Sequence, residues 1–400
     1  MPPWSASTSA FSRPEAPLMK IIAKTFAGLE AVLAEELRAL GARAIQPGTR
    51  AVSFEGDTAL LYRANLHLRS ALRLLVPFRA FKTRHENHLY KKLRETDWSE
   101  LLEVDDCFAV HAVTQSRHLR HSRYLEQKAK DAIVDQFRER RGRRPSVDLK
   151  NPTLRIHLHI GADNTCTLSL DSSGDSLHRR GYRQEGGEAP LSEVLAAGML
   201  LLAGWRGERP FLDPMCGSGT LPIEAALIAL RRPPHTPERR FGFERWKSFD
   251  ADLWRKIRSE VPRESPTLPQ PIFASDVAPK ALAATRQNLR AAGLEHVVRV
   301  RRCELSELEA PAPSGLLVCN PPYDQRIGLL DAEGFYRLLG DVLKQRFQGW
   351  DAFVLSANRD ALKRIGLRPR RRHVLFNGPL ECRYLHFELY AGSRKYSPGE

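Results

Sequence analysis

From residue 190 to residue 356, apolar strand-like runs alternate with stretches of helical period, and that alternation restricts this chain more than any other feature. The segments fall at 209–213, 221–230, 271–276, 279–292, 297–302, 315–319, 334–347 and 351–356. Short buried strands joined by helical crossovers require a parallel sheet with helices on its faces. The end differs: strands 373–376 and 382–390 flank Asn377-Gly378, a hairpin-forming pair. The predicted fold class is therefore α/β over residues 190–392, a parallel sheet closed by one antiparallel hairpin.

In open sheets of this kind ligands bind beyond the carboxyl ends of the strands, and three strand ends here carry distinctive residues. The first reads Phe211-Leu212-Asp213-Pro214-Met215-Cys216-Gly217-Ser218-Gly219-Thr220. An acid closes the strand, a Gly-rich turn follows, and a helix begins near Thr220. Glycines let the backbone approach a ligand closely, and a helix start offers free N–H groups. The dinucleotide fingerprint is not completed, since Leu221-Pro222 follow Gly219. An acid at that strand end repels a pyrophosphate and attracts an ammonium, as on the amino-acid end of S-adenosylmethionine. Asp213, Pro214, Cys216, Gly217, Gly219 and Thr220 are the candidate cofactor residues, against the plainer reading of a structural turn. Asp276, ending the next strand, can accept both ribose hydroxyls, although an acid there also serves as a helix cap. Glu304, after strand 297–302, can face the adenine or simply be a surface acid.

The third strand end is Leu316-Leu317-Val318-Cys319 followed by Asn320-Pro321-Pro322-Tyr323. The Asn320 amide oxygen and the Pro321 carbonyl can accept the two protons of a planar amino group. That drives the nitrogen toward sp³ and aims its lone pair at a methyl carbon, while Tyr323 can stack on the base. This is catalysis by positioning and electrostatics. Asn320, Pro321, Pro322 and Tyr323 are the candidate catalytic residues, and Asn320 also borders the cofactor. Together with the terminal hairpin, these motifs indicate a Rossmann-like methyltransferase domain.

The first half has a different organisation. Strands at 20–25 and 51–55 with helical stretches at 29–40 and 58–69 suggest a small α+β unit. Residues 71–81 are extended but contain Pro77, which predicts a sheet edge. Strand 107–114, helix 122–140 and strands 154–160 and 166–170 suggest a second α+β module. Residues 171–189, rich in Gly, Ser and charge, read as a linker. Residues 1–17 read as a disordered leader and 393–400 as a tail.

Charge bears on partners. The chain carries 62 Lys and Arg against 47 Asp and Glu, a net +15, which favours a polyanion. The excess is local: residues 79–94 hold 6 basic against 1 acidic residue, whereas 95–110 hold six acids and no Lys or Arg. Lys82, Arg84, Lys91, Lys92, Arg117, Arg120, Arg123, Arg141, Arg143, Arg144, Arg179 and Arg180 are the candidate RNA contacts. No apolar run approaches the roughly 20 residues of a membrane span. No two cysteines form a CxxC pair, so no metal is expected. Cysteines placed inside apolar runs suit a reducing, cytoplasmic setting.

Residues Asp213 to Ala226 and the Asn320–Tyr323 motif resemble those of THUMP-domain RNA guanine-N2 methyltransferases, most closely the bacterial 23S rRNA enzymes. The segments Leu177-His178-Arg179-Arg180-Gly181-Tyr182-Arg183, Ala189 to Glu193 and Phe241 to Trp246 resemble the same family. The likeness runs from about Lys20 to Tyr390. It implies a ferredoxin-like domain (18–80), a THUMP RNA-binding domain (81–171), a linker (172–189) and a Rossmann-like catalytic domain (190–392). It also implies S-adenosylmethionine as methyl donor and guanine N2 in 23S rRNA as target. The chain is expected to be a monomer. Asp324-Gln325 stand where the family usually has Gly-Glu. No second methyltransferase unit follows, so modification of a second nucleotide is not expected. The Asn-Pro-Pro-Tyr motif alone is shared with DNA adenine and protein glutamine methyltransferases. Alternative readings are therefore a tRNA guanine-N2 enzyme, an adenine-N6 enzyme, or a non-catalytic RNA-binding assembly factor.

Overall fold

The computed structural model describes residues 17–184, 191–262, 267–322 and 331–392. Most of the proposed leader and tail, the end of the linker, Tyr323 and Asp324-Gln325 lie outside them. No helix of the described residues is long and apolar enough to cross a membrane.

Two sheets carry the described chain. The first begins with β1 (Met19–Lys24), α1 (Glu30–Ala39), β2 (Arg43–Gly48), β3 (Ala51–Gly56), α2 (Thr58–His67) and β4 (Arg73–Lys82), a βαββαβ unit. It continues with α3 (Glu86–Arg94), β5 (Cys107–Thr114), α4 (Ser122–Arg141), β6 (Ser146–Val147), β7 (Leu154–Ile160) and β8 (Thr165–Asp171). The strand order is β2-β3-β1-β4-β8-β7-β5-β6. The two modules expected from the sequence are thus halves of one continuous sheet, joined where β4 pairs with β8 from Leu75–Asp171 to Lys82–Thr165.

The expected edge position of Pro77 needs correction. β4 is interior, with β1 on one side and β8 on the other. The proline is tolerated because β1 pairs only with Arg73–Leu75 and the β4–β8 register shifts between Pro77 and Arg79. A residue without an N–H fits at such a bulge.

The second half contains α5 (Glu193–Leu202), β9 (Phe211–Asp213), α6 (Thr220–Ala229), α7 (Ala251–Ser259), β10 (Ile272–Asp276), α8 (Pro279–Ala291), β11 (Val298–Arg302), β12 (Gly315–Cys319), α9 (Ala332–Arg346), β13 (Trp350–Ser356), α10 (Arg359–Lys363), β14 (Arg371–Asn377) and β15 (Leu380–Glu388). Its order is β11-β10-β9-β12-β13-β15-β14, parallel through β13 and antiparallel at the hairpin. β9 and β12 are central neighbours, which brings two of the three motif-bearing strand ends together.

The halves are packed against each other. Leu29, the N-cap of α1, and Val32 within it belong to the core built on α5, β9 and α6. A Cβ on Gly198 would lie 2.5 Å from Leu29 Cδ1, so a larger residue there would displace the Leu29 side chain. The insertion before β10 packs into the first module: the rings of Phe243 and Tyr62 stack at 4.1 Å, and Phe241, Trp254 and Ile257 complete that core. The linker is no loose tether as far as it is described. Ser172, Ser173, Leu177, Arg180 and Tyr182 are buried, and the Leu177 N–H donates to Leu72 O at 2.9 Å.

Candidate active site

Asp213 ends β9 with its side chain buried. Its Oδ1 accepts the Met215 N–H at 3.2 Å, and it forms no ion pair among the described residues. Burial pushes its carboxyl well above the usual range, and the nearby charge of Asp276 adds to this. An uncompensated buried carboxylate is costly, and a cation brought to it removes that cost.

The glycine turn after Asp213 is pinned from several sides. Gly217 and Gly219 have φ of +53° and +84°, where side chains other than glycine's are strained. A Cβ on Gly219 would also come within 2.9 Å of Thr285 Cγ2. The Gly217 N–H donates to Asp276 Oδ2 at 2.9 Å, and Thr285 Oγ1 donates to Gly217 O at 2.8 Å. Asn288 Nδ2 donates to Ser218 O at 2.9 Å. Gly219 is the N-cap of α6 and supplies no side-chain cap. Pro214, Cys216 and Thr220 are buried in the same turn.

Asp276 has a structural task that the sequence did not disclose. Besides Gly217 it accepts the Ala278 N–H at 2.9 Å, so it ties the ends of β9 and β10 together. It is not the cap of α8, whose N-cap is Ala278. Glu304 is exposed just past β11.

β12 pairs with β9 as Leu316–Phe211 and Leu317–Leu212. Continued, this register sets Val318 level with Asp213 and Asn320 two residues farther, roughly 7 Å along the strand direction. Asn320 Oδ1 is buried and has no hydrogen-bond partner among the described residues. Leaving such an acceptor unsatisfied costs about 1–3 kcal/mol. Pro321 is buried beside it and Pro322 half-buried.

Sequence reasoning missed Arg183. From the junction segment its Nε donates to Glu193 Oε1 at 2.7 Å and its Nη2 to Thr220 Oγ1 at 3.0 Å. Its Nη1 reaches Ser218 Oγ at 3.3 Å. Thr285 and Asn288 were also missed, although polar residues three apart on the apolar face of α8 were a readable signal.

The basic candidates divide. Lys82, Arg84, Lys91, Arg117, Arg120, Arg123, Arg141, Arg143, Arg144 and Arg179 are exposed, and Lys92 is half-buried. Arg180 is not a surface contact: it is buried, with Nε 3.3 Å from Glu224 Oε1 and Nη1 donating to Leu177 O at 2.8 Å. Part of the charge that is separated along the sequence is paired in space. Arg143 pairs with Asp105 at 2.6 Å, Arg140 with Asp97 at 3.0 Å, and Arg94 with Glu139. The acidic stretch lies against the basic end of α4. A cavity of about 620 Å³ lies by His235 and the last turns of α6 and α8, and none of Asp213, Asp276 and Asn320 lines it.

Strand order, glycine turn and Asn-Pro-Pro loop together define a class I, S-adenosylmethionine-dependent methyltransferase. The chain belongs to the family described as RMKL-like, methyltransferase domain, which it matches over residues 180–386. Residues 20–75 match the RlmL ferredoxin-like domain and 83–171 the THUMP domain. A Synechocystis protein named provisionally as an RNA methyltransferase is 43% identical over 96% of this chain and 99% of its own length. The ribosomal RNA large subunit methyltransferase K/L of Syntrophotalea carbinolica is 43% identical over 94% of this chain. The chain spans 54% of that relative's length. A crystal structure assigned to a methyltransferase, in complex with S-adenosylhomocysteine, superposes with a TM-score of 0.83 at 29% identity. It covers 94% of this chain and 99% of its own.

Proposed function

We propose that this protein methylates the exocyclic N2 of a guanosine in structured RNA, with 23S rRNA as the substrate and the cytoplasm as its setting. The observation that carries the reading is Asn320 Oδ1, a buried acceptor with no partner among the described residues, at the end of β12, the strand next to the one that ends in the buried carboxyl of Asp213. The residues present fit S-adenosylmethionine: Asp213 would hold its ammonium, the Gly217–Gly219 backbone its amino-acid moiety, and Asp276 and Glu304 its nucleoside. When bound, that group supplies an electrophilic methyl carbon.

The remaining chemistry belongs to the chain. Asn320 Oδ1 and the Pro321 carbonyl accept the two N–H bonds of the target amine and hold its nitrogen pyramidal. No general base is needed, because attack on the methyl carbon acidifies the N–H protons. The exposed basic residues of the THUMP side neutralise phosphates and set the register of the RNA. The K/L relatives and the THUMP match support RNA as the substrate.

Incubation of the full chain with labelled methyl donor and rRNA, followed by nucleoside analysis, tests this. N2-methylguanosine is expected. N6-methyladenosine as sole product would overturn the base, methylation confined to tRNA would overturn the substrate, and RNA binding without methyl transfer would leave an assembly factor.

A further inference from the structure

At the seam between the THUMP side and the catalytic insertion lies a small cavity of about 60 Å³. A single water needs roughly 10–15 Å³ of such space, so the cavity admits a group of several heavy atoms. Its walls carry Lys150 and Arg155 from the first half and Arg240 and Arg245 from the second. Its floor is backbone: a Cβ on Gly242 would lie 2.6 Å from Asp171 O and 2.8 Å from Gly174 N. Glycine at 242 keeps two chain segments in contact there.

The cations outnumber their partners. Of the two acids lining the cavity, Asp171 is committed to Arg73 and to the N–H groups of Ser173 and Gly174. Asp175 is exposed. Arg240 pairs with Glu244 at 3.1 Å, and Arg245 donates to Pro152 O at 2.9 Å. Arg155 is the least satisfied: its Nε is buried without a partner among the described residues, and its two other nitrogens reach carbonyls only at 3.5 Å, the outer limit of a hydrogen bond. Burial pulls its guanidinium down from the usual range, and Arg73 and Arg245 add to this against the carboxylate of Asp171.

We propose that this seam pocket is a phosphate site, in which Arg155, flanked by Lys150, Arg240 and Arg245, holds one phosphate group of an RNA backbone crossing from the THUMP side to the catalytic domain. A tetrahedral oxyanion fits the space, neutralises the excess charge and offers acceptors to a planar guanidinium. A contact here fixes where the strand enters the catalytic half and reads no base. The RNA form of the proposal rests on the function proposed above, whereas the oxyanion chemistry does not.

The test compares wild type with Arg155→Gln and with Lys150→Glu, an exposed position that leaves the fold unburdened. One arm titrates inorganic phosphate and follows thermal unfolding. The other measures affinity for a structured rRNA fragment over a salt series. Each variant is expected to show an RNA salt slope shallower by about one unit, with cofactor affinity unchanged. A slope change without phosphate stabilisation identifies the RNA diester as the ligand. Stabilisation by phosphate that both variants lose, with equal RNA slopes, identifies a free oxyanion. Equal slopes together with no variant-sensitive phosphate effect would overturn the site. If wild type binds no RNA at all, the proposed function fails, and the phosphate arm still decides the pocket.

Discussion

Arg183 donates from Nη2 to the hydroxyl of Thr220 at 3.0 Å, across the boundary between the junction segment and the glycine turn. The next residue extends the link, since the Gln184 N–H donates to Asn288 Oδ1 at 2.9 Å and Asn288 in turn holds Ser218. The segment that leaves the THUMP side thus splints the turn that follows Asp213. Arg183→Ala is expected to weaken cofactor binding about tenfold, the equivalent of one charge-assisted hydrogen bond. Arg183→Lys should recover part of the loss. Calorimetry with S-adenosylmethionine decides it, and equal affinity in wild type and the alanine variant would remove Arg183 from this role.

Asp213→Asn should separate binding from stability. Loss of the carboxylate is expected to cost about a hundredfold or more in cofactor affinity. The ligand-free protein should nonetheless melt at a higher temperature near neutral pH. Burial raises the folded-state value of this carboxyl above its unfolded value. Its contribution is therefore favourable below the unfolded value, about 3.9, and is lost as pH rises through the folded value. The melting advantage of the variant should vanish below about pH 4 and widen above it. A variant that melts lower than wild type at pH 7 would contradict this.

Asn320→Ala is expected to lower kcat by roughly 10²–10³-fold, the usual cost of removing a preorganised hydrogen-bonding group. Cofactor affinity should barely move, because the amide acts mainly as the amine pyramidalises. A rise in KM at unchanged kcat would assign the residue to substrate binding instead.

Arg180→Ala should act on folding. Removing one partner of a fully buried ion pair leaves Glu224 without its cation, at a cost of about 3–5 kcal/mol. The Tyr182 hydroxyl, which donates to Glu224 Oε1 at 3.0 Å, cannot replace a charge. Chemical denaturation measures the loss. The folded fraction should bind RNA as wild type does, and a selective loss of RNA affinity at full stability would restore Arg180 to the surface set.

Asp105→Ala should tighten RNA binding about two- to fivefold at low salt, because it releases Arg143 from its exposed ion pair. Filter binding at two salt concentrations checks this, and the gain should shrink as salt is raised. Unchanged affinity at low salt would place Arg143 off the RNA path.

The catalytic half was legible because its signals are local. Apolar runs bounded by Asp213, Asp276 and Asn320 give strand, turn and helix within a few residues each, and the observed bounds of β9, β10 and β12 depart little from the expected ones. What was not legible depends on partners far away in the chain. The pairing of β4 with β8 spans almost a hundred residues, so nothing near Pro77 announced a second neighbour. Arg180 looked like its neighbour Arg179, and only the placement of Glu224 on α6 distinguishes a buried cation from an exposed one. Arg143 and Asp105 likewise read as members of opposite blocks until the fold set them side by side.

The insertion of Phe241, Phe243, Trp254 and Ile257 into the core of the first module bears on how the protein is made. A ribosome delivers β1 to β4 long before it delivers those four side chains. Until residue 257 has emerged, Tyr62 lacks its stacking partner and the nascent N-terminal module presents an apolar face to its surroundings. Synthesis and completion of that module are therefore out of step by some 180 residues. A gene fragment that encodes it alone specifies a protein with a missing wall.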